Sequence, residues 1–334
     1  MIRFIALLSA LLLMPLASHA TTLKIATLAP QGTSWMKHMR AAADDIKQRT
    51  DGRVKIRYFP GGIQGSDKSV LRKIRIRQLQ GGAIAAGALA QIAKETQLYS
   101  LPFTFRNLDE VRAVRSTFDP IIKQALADKG FVLLGISEGG FAYLMSNQAL
   151  HTSDDVREQK VWVPEGDVIS KTTFENGDVQ PIALPVSDVY TSLQTGLINT
   201  IAANMTSAIA LQWHTKLSHT TDIPLTFLMG TLVVDAKTFN KINADDQRIV
   251  EDIMAATFAK MDEQNEQDEA KARQALQQNG MEFVALTEAD KQAWAELAKR
   301  SVAELAGEGV YPVEHYQKMQ QMLEDYRQQT AAAN

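Results

Sequence analysis

The chain has 334 residues, 45% of them hydrophobic, a formal net charge of -3 and no cysteine. This charge balance excludes the clustered basic excess of a nucleic-acid-binding protein, and the lack of cysteine excludes disulfides and thiolate chemistry. The length favours two domains, or one large one, stabilised by apolar burial alone.

The first twenty residues have the layout of a secretory signal peptide. Arg3 precedes an apolar run over 4–16, and Ala17-Ser18-His19-Ala20 places small residues at the cleavage point. A run of about thirteen apolar residues is too short to span roughly 30 Å of hydrocarbon, which argues against a membrane anchor. We therefore expect residues 1–20 to be removed after Ala20 and the mature chain to be a soluble periplasmic protein.

The first half of the mature chain alternates predicted strands and helices. An apolar strand at 23–28 is followed by a helix, and a half-buried strand at 54–58 is followed by a helix that Ser66 and Asp67 cap. A third strand of small residues follows at 82–86. This alternation with short turns predicts parallel strands joined by right-handed crossovers, as in a doubly wound α/β sheet.

A second, smaller unit follows two apolar segments, 131–136 and 141–146, that are predicted to be extended with no helix between them. It repeats the strand–helix pattern over 160–196 and is too small to fold independently of the first unit. The predicted organisation is therefore a first lobe and a second lobe inserted into it, with the bounds 21–146 plus 222–250 for lobe I and 147–221 for lobe II.

A long helix is predicted over 244–279. At about 1.5 Å per residue it spans about 50 Å, which is long enough to brace both lobes. Gly280 ends this helix, and we expect the strand and helices of 280–334 to pack on the lobes. Within that last segment, Thr287 and Asp290 form a predicted capping box.

One motif is typical of an enzyme. Gly135-Ile136-Ser137-Glu138-Gly139 fits the Gly-x-Ser-x-Gly nucleophile elbow of secreted esterases, which needs a strand before the serine and a helix after it. The strand is predicted, but the chain after Gly140 is extended, so we expect a turn that leaves the sheet instead of an elbow. A secreted serine esterase that uses Ser137 stays as the alternative from the class of enzymes.

No cofactor or metal is predicted. His214 and His219 are five residues apart, off the i, i+4 face of a zinc-binding helix, and the glycines of 81–87 lack the spacing of a dinucleotide loop. Ligands of open α/β sheets bind at the carboxyl ends of strands, so the cleft between the lobes is the expected site. The aromatic residues near these ends are Trp35, Phe103, Phe105, Phe141, Tyr143, Trp162 and Trp213.

The order of these segments resembles the receptors of tripartite ATP-independent periplasmic (TRAP) transporters, the C4-dicarboxylate-binding type, also called solute-binding family 7. The resemblance covers nearly the whole mature chain and is carried by Gly52-Arg53-Val54, Tyr58-Phe59-Pro60-Gly61-Gly62, Leu101-Pro102-Phe103, Lys160-Val161-Trp162-Val163-Pro164 and Leu184-Pro185 ahead of 188–196. It implies a periplasmic-binding-protein-like fold of two α/β lobes with a hinge of crossing strands and a long helix that spans both. It also implies closure over an organic acid that is passed to a TRAP-type membrane permease.

Two arginines of the family pattern are missing from this sequence. In that pattern an arginine in the strand at 160–163 pairs with the ligand carboxylate, and here the residue is Trp162. A second arginine often follows the pair Gly140-Phe141, and here the residue is Ala142. Burying a carboxylate without a partner costs several kcal/mol, whereas an indole offers apolar area, stacking and one N–H donor. We therefore predict an apolar, aromatic, zwitterionic or cationic ligand in preference to a simple dicarboxylate.

Further positions complete the predicted site. Arg106 is the best candidate for an arginine that replaces the missing clamp, and the resemblance implies that Asn204, with Thr206 beside it, reaches the ligand. Gly87, at the end of the third strand, is expected at the cleft edge. The sequence thus predicts a receptor, not an enzyme, that closes on a small molecule; a carrier of lipid or another apolar ligand is a further alternative.

Overall fold

The computed structural model describes residues 20–333, so the predicted leader, apart from Ala20, lies outside the described residues. The first part of the chain alternates strands and helices: β1 (Thr21–Thr27), α1 (Ser34–Arg49), β2 (Val54–Phe59), α2 (Asp67–Arg75), β3 (Gly81–Ala85), α3 (Ala86–Leu89) and α4 (Leu108–Asp128). Strand β1 pairs in parallel with both β2 and β3, as the alternation predicts. These strands and helices form the body of lobe I.

Two long strands, β4 (Phe131–Ser146) and β9 (Thr226–Asp235), connect the lobes. The two segments predicted at 131–136 and 141–146 are one continuous strand. Strand β9 lies between β3 and β4 and is antiparallel to both, so the sheet is mixed, which the sequence did not predict. Beyond β9, β4 continues into lobe II, where it pairs with β7 (Thr200–Ala203) and β8 (His219–Thr221).

Lobe II is built from short elements: β5 (Trp162–Pro164), α5 (Val168–Glu175), β6 (Ile182–Leu184), α6 (Val189–Thr195), β7, α7 (Met205–Ala210) and β8. Strands β5 and β6 pair in parallel. The main apolar clusters of this lobe are separate from the two large clusters of lobe I. A smaller cluster joins Leu101 of lobe I to Ile169 of α5. Each lobe therefore has a core of its own and can keep its shape while the angle between the lobes changes.

After the short α8 (Ala236–Phe239), the helix α9 (Ala244–Gln278) confirms the predicted long helix. Asn243 caps its first turn by accepting the Asp246 N–H at 2.9 Å. Its first half packs in the core of lobe I through residues such as Val250 and Phe258. Its second half packs in lobe II through Ala272 and Leu276. The helix therefore spans both lobes, with an apolar contact at each end.

The chain ends with β10 (Glu282–Val284), α10 (Glu288–Gly307) and α11 (Val313–Ala333). The predicted capping box at Thr287 and Asp290 is present at the start of α10. Helix α10 packs on lobe II, and α11 packs on α4 of lobe I, so the C-terminal segment contacts both lobes. Over residues 20–333, no helix combines the length and the apolar character that crossing a bilayer requires.

Candidate functional site

A cavity of about 500 Å³ lies between the lobes, and we call it the interlobe cleft. Lobe I contributes the turn after β1 and the segment from the end of β3 into α3. Lobe II contributes β5, α5 and α7, while β4, β9 and α9 line the space between the lobes. The parallel strands β1, β3 and β5 present their carboxyl ends to this cavity, which is where ligands of open α/β sheets bind.

Trp162 and Trp213 form the aromatic wall of lobe II. Trp162 is 4% exposed, and its ring meets that of Trp213 edge to face with centroids 5.4 Å apart. The indole N–H donates to the Leu184 carbonyl at 2.9 Å. The N–H that the sequence suggested as a donor for the ligand is thus occupied within lobe II, and Trp162 offers the cleft an apolar surface.

Trp35 and Gly87 lie on the opposite wall, in lobe I. Trp35 stands in the first turn of α1, where Thr33 caps the helix, and its ring contacts Tyr58 edge to face. Gly87 lies in α3 and faces lobe II closely, because a Cβ built on it would be 3.9 Å from the carboxyl carbon of Asp167. The two lobes therefore approach each other at Gly87.

Asn204 and Thr206 reach the cleft from the start of α7. The Asn204 side chain caps this helix by accepting the Ser207 N–H at 2.8 Å, and its amide donates to the carbonyl of Gly139 in β4. Glu269 of α9 accepts the N–H groups of Met205 and Thr206. These bonds fix α7 to the strand and helix that connect the lobes.

Three predicted site residues, Arg106, Phe141 and Tyr143, do not line the cleft. The Arg106 side chain is exposed next to α4, and its backbone N–H donates to Glu110 at 2.8 Å. Phe141 is buried against Phe227, with ring centroids 5.4 Å apart. Tyr143 packs half-buried between the apolar clusters of the two lobes.

A bulge in β4 explains why Phe141 and Tyr143 face away. Side chains alternate along a strand, and Ser137 and Gly139 line the cleft. Between Glu138 and Phe141 the register against β9 shifts by one residue, so Ala142 takes the cleft face instead of its neighbours. Simple alternation along the strand, which takes no account of the bulge, predicts both aromatic rings on the cleft face, and this prediction is wrong.

The serine motif is part of β4 and forms no nucleophile elbow. Both the elbow and the turn that we expected in its place are absent, because 135–139 lie within the strand. A Cβ on Gly135 would be 2.1 Å from Phe258 of α9, which requires glycine there. The Ser137 hydroxyl accepts the Asn265 amide N–H at 3.2 Å. Buried Glu138 accepts hydrogen bonds from Arg112 and Arg115 of α4, so the motif joins β4 to α4 and α9.

Sequence reasoning missed the carboxylates of the cleft. Asp67 and Asp167 line it from opposite lobes, at the starts of α2 and α5. Burial raises the pKa of Asp67 to about 6 and also raises the pKa values of Asp167 and Glu269. In the sequence, Asp67 and Asp167 are simply acids at the starts of helices, and this position gives no sign that they also face a cavity.

The cleft lining contains no arginine among residues 20–333. Its one lysine, Lys68, pairs with Glu165 of lobe II at 3.6 Å, and both side chains are largely exposed. Within the same part of the chain, no group of three or more histidines and acids is arranged to hold a metal ion. The described cleft is therefore aromatic and apolar on its walls and negatively charged at its edge.

Comparisons with known proteins identify related sequences. Residues 25–308 match the sequence model of the family described as bacterial extracellular solute-binding protein, family 7. The "C4-dicarboxylate-binding periplasmic protein DctP" of Shewanella loihica is 24% identical over 257 residues, 76% of each chain. The "Uncharacterized protein YiiZ" of Salmonella typhimurium is 26% identical over 251 residues, 72% of this chain and 74% of its own.

Solved structures share the architecture. A TRAP periplasmic solute binding protein from Shewanella oneidensis with bound succinate has a TM-score of 0.84 at 19% identity, covering 91% of this chain and 99% of that one. Another, from Xanthobacter autotrophicus Py2 with bound β-D-galacturonate, has a TM-score of 0.83 at 18% identity and the same coverage. The family match over most of the chain confirms the resemblance seen in the sequence: this chain belongs to family 7 of the bacterial extracellular solute-binding proteins.

Proposed function

We propose that the protein is a periplasmic receptor that captures a small organic molecule in the interlobe cleft and delivers it to a TRAP-type membrane permease. The observation that carries the proposal is the cavity of about 500 Å³ between two lobes with separate apolar cores. Its volume lies in the range of small-molecule sites. Membership of a solute-binding family supports the same role.

The mechanism is capture by hinge closure. β4 and β9 are the described strands that pass between the lobes side by side, and α9 packs on both lobes. A ligand that contacts both walls stabilises the closed arrangement by its differential affinity for that arrangement. The contact of Lys68 with Glu165 and the approach of Asp167 to Gly87 then close the mouth of the cleft.

The ligand is proposed to be apolar, aromatic, zwitterionic or cationic, and not a simple dicarboxylate. A buried carboxylate needs a cationic partner, and the described lining supplies only Lys68, which is paired and exposed. Trp162 fills the strand position at which the family pattern has the arginine. Succinate and galacturonate belong to the related structures that contain them.

The test is retention of a ligand by the mature protein, residues 21–334. The purified protein is unfolded, freed of small molecules, refolded, incubated with a metabolite extract, washed by ultrafiltration and denatured, and the released compounds are identified by mass spectrometry. We expect a stoichiometric small molecule that also raises the unfolding temperature, since a ligand at a hundredfold over its Kd adds about 2.7 kcal/mol. Absence of any retained molecule contradicts the receptor function, and stabilisation by succinate or malate alone contradicts the ligand class. Delivery is tested by uptake of that molecule into vesicles that contain a TRAP-type permease, which must depend on the added receptor.

A further inference from the structure

We infer that the ligand carries a protonated amine and that Asp67 of lobe I and Asp167 of lobe II supply the carboxylates that balance its charge. The inference rests on the proposed receptor function and narrows its ligand class. Both residues line the interlobe cleft, and neither was recognised as part of a site from the sequence.

Each of the two carboxylates lies close to a residue of the same short segment of lobe I, residues 85–87. Asp67 accepts the N–H of Ala85, at the end of β3, at 3.0 Å. The carboxyl group of Asp167 lies close to Gly87, where a Cβ would be 3.9 Å from its carboxyl carbon. Asp67 and Asp167 therefore contribute one carboxylate from each lobe to the cleft lining beside residues 85–87.

Neither carboxylate has a cationic partner among the described residues. The hydrogen bonds of Asp67 and Asp167 come from neutral groups: the Ala85 N–H, and the N–H and O–H of Ser170. The lysine next to Asp67, Lys68, pairs with Glu165 instead. Within residues 20–333 the lining holds one lysine and five carboxylates, namely Asp67, Glu165, Asp167, Asp268 and Glu269.

This charge arrangement makes closure depend on the ligand. Keeping two ionised carboxylates in a water-poor cleft without a cation is unfavourable, and burial raises the pKa of each. A ligand ammonium supplies the missing positive charge and donates a charge-assisted hydrogen bond to a carboxylate of the cleft. The positive charge of the ligand therefore offsets the cost of burying these carboxylates when the cleft closes.

The other walls indicate the rest of the ligand. Trp162 and Trp213 offer an apolar surface in lobe II. Ser137, at the β4 wall, is 6% exposed; its oxygen accepts the Asn265 amide, and its O–H proton has no acceptor among residues 20–333. A compound with an amine at one end, an apolar middle and a hydrogen-bond acceptor at the other end satisfies these groups. A divalent metal ion does not fit, because the described residues form no ligand cluster for one.

Two isosteric variants test the assignment, Asp67→Asn and Asp167→Asn. The asparagine at 67 can still accept the Ala85 N–H, and the asparagine at 167 can still accept the Ser170 N–H at the start of α5, so both variants are expected to fold. Asp252→Asn is the control, since Asp252 is exposed on α9 and lies outside the cleft lining. The probes are the compounds retained from the extract, together with butane-1,4-diamine, 4-aminobutanoate and butanedioate, which share a four-carbon chain and differ in amine number.

The expected result is a retained molecule with a basic nitrogen that binds each cleft variant ten- to roughly a hundredfold more weakly than the parent, and the control equally well. Among the four-carbon probes, any that binds must carry an amine. A retained acid without a basic nitrogen, or an amine whose affinity the two variants leave unchanged, overturns this inference and leaves the receptor function standing. Retention of no molecule at all overturns the receptor function itself.

Discussion

Replacing Trp162 by phenylalanine, with Trp294→Phe as the matched control, separates the role of Trp162 in the cleft from its role in folding. Both tryptophans are nearly fully buried and donate an indole N–H to a backbone carbonyl, Trp162 to Leu184 at 2.9 Å and Trp294 to His151 at 3.0 Å. Trp162 lines the interlobe cleft, whereas Trp294 packs between α10 and lobe II outside its lining.

The structure sets the size of the effect on folding. Each variant loses one hydrogen bond, worth about 1 kcal/mol, and part of a buried ring. The Leu184 carbonyl keeps a bond from the Glu165 N–H, and His151 is exposed, so neither acceptor is left buried and unpaired. We expect each substitution to lower the free energy of unfolding in urea by about 1–3 kcal/mol.

The effect on the ligand differs between the two variants. Trp162→Phe reduces the aromatic wall and weakens the binding of the retained ligand by about three- to tenfold, as expected for part of an aromatic contact. Trp294→Phe leaves the Kd unchanged. Calorimetric titration of both variants measures this difference. Equal loss of affinity in the two, or none in Trp162→Phe, refutes the placement of Trp162 in the binding site.

Three further predictions concern the hinge and the cleft charge. Glu138→Gln removes the 4% exposed carboxylate that pairs with Arg112 and Arg115. The expected cost is about 1.5–3 kcal/mol, because Arg112 keeps Glu266 and Arg115 keeps Asp119 and Asp262. Glu266→Gln, at the exposed partner of Arg112, costs about 0–1 kcal/mol in the same urea assay. Equal costs contradict this prediction. Gly135→Ala forces a Cβ to 2.1 Å from Phe258 and lowers the free energy of unfolding by about 1–3 kcal/mol or more. The control Gly307→Ala, with open space around it, is neutral or stabilising in thermal unfolding. A Gly135→Ala protein as stable as the parent contradicts the packing of β4 against α9. Protonation of Asp67, whose pKa burial raises to about 6, removes a negative charge from a cleft lining that also holds Lys68, Glu165 and Asp167. The affinity for an amine therefore falls as the pH drops through about 6, and Asp67→Asn flattens this dependence in titrations from pH 5 to 8. A rise in affinity at lower pH contradicts the assignment.

Much of the architecture was predictable because its signals are local. The long helix α9 and the capping box at Thr287 and Asp290 were predicted because periodicity and caps depend on residues a few positions apart. The pairing of β4 with β9 was not predicted, because it joins segments about ninety residues apart whose register no local pattern sets. The antiparallel direction of β9 within an α/β sheet was not predicted for the same reason.

The site was predicted less well than the fold, for two physical reasons. The bulge between Glu138 and Phe141 shifts the alternation of β4 by one residue, which moves Phe141 and Tyr143 off the cleft. The carboxylates of Asp67 and Asp167 were hidden because acids at the start of a helix are common for reasons of capping alone. Their second role appears only when the two lobes are seen face to face.

The central claim, that the two lobes close on a ligand, is tested most directly by a distance measurement between them. The sequence has no cysteine, so a pair introduced at exposed positions, Lys37→Cys in α1 and Asp188→Cys before α6, is labelled uniquely with nitroxides. A pair within lobe I, Lys37→Cys with Lys55→Cys, is the control. Pulsed electron resonance should show the distance between the lobes shorten and its distribution narrow when the retained ligand is added, with no change in the control. An unchanged distribution at saturating ligand would contradict capture by closure.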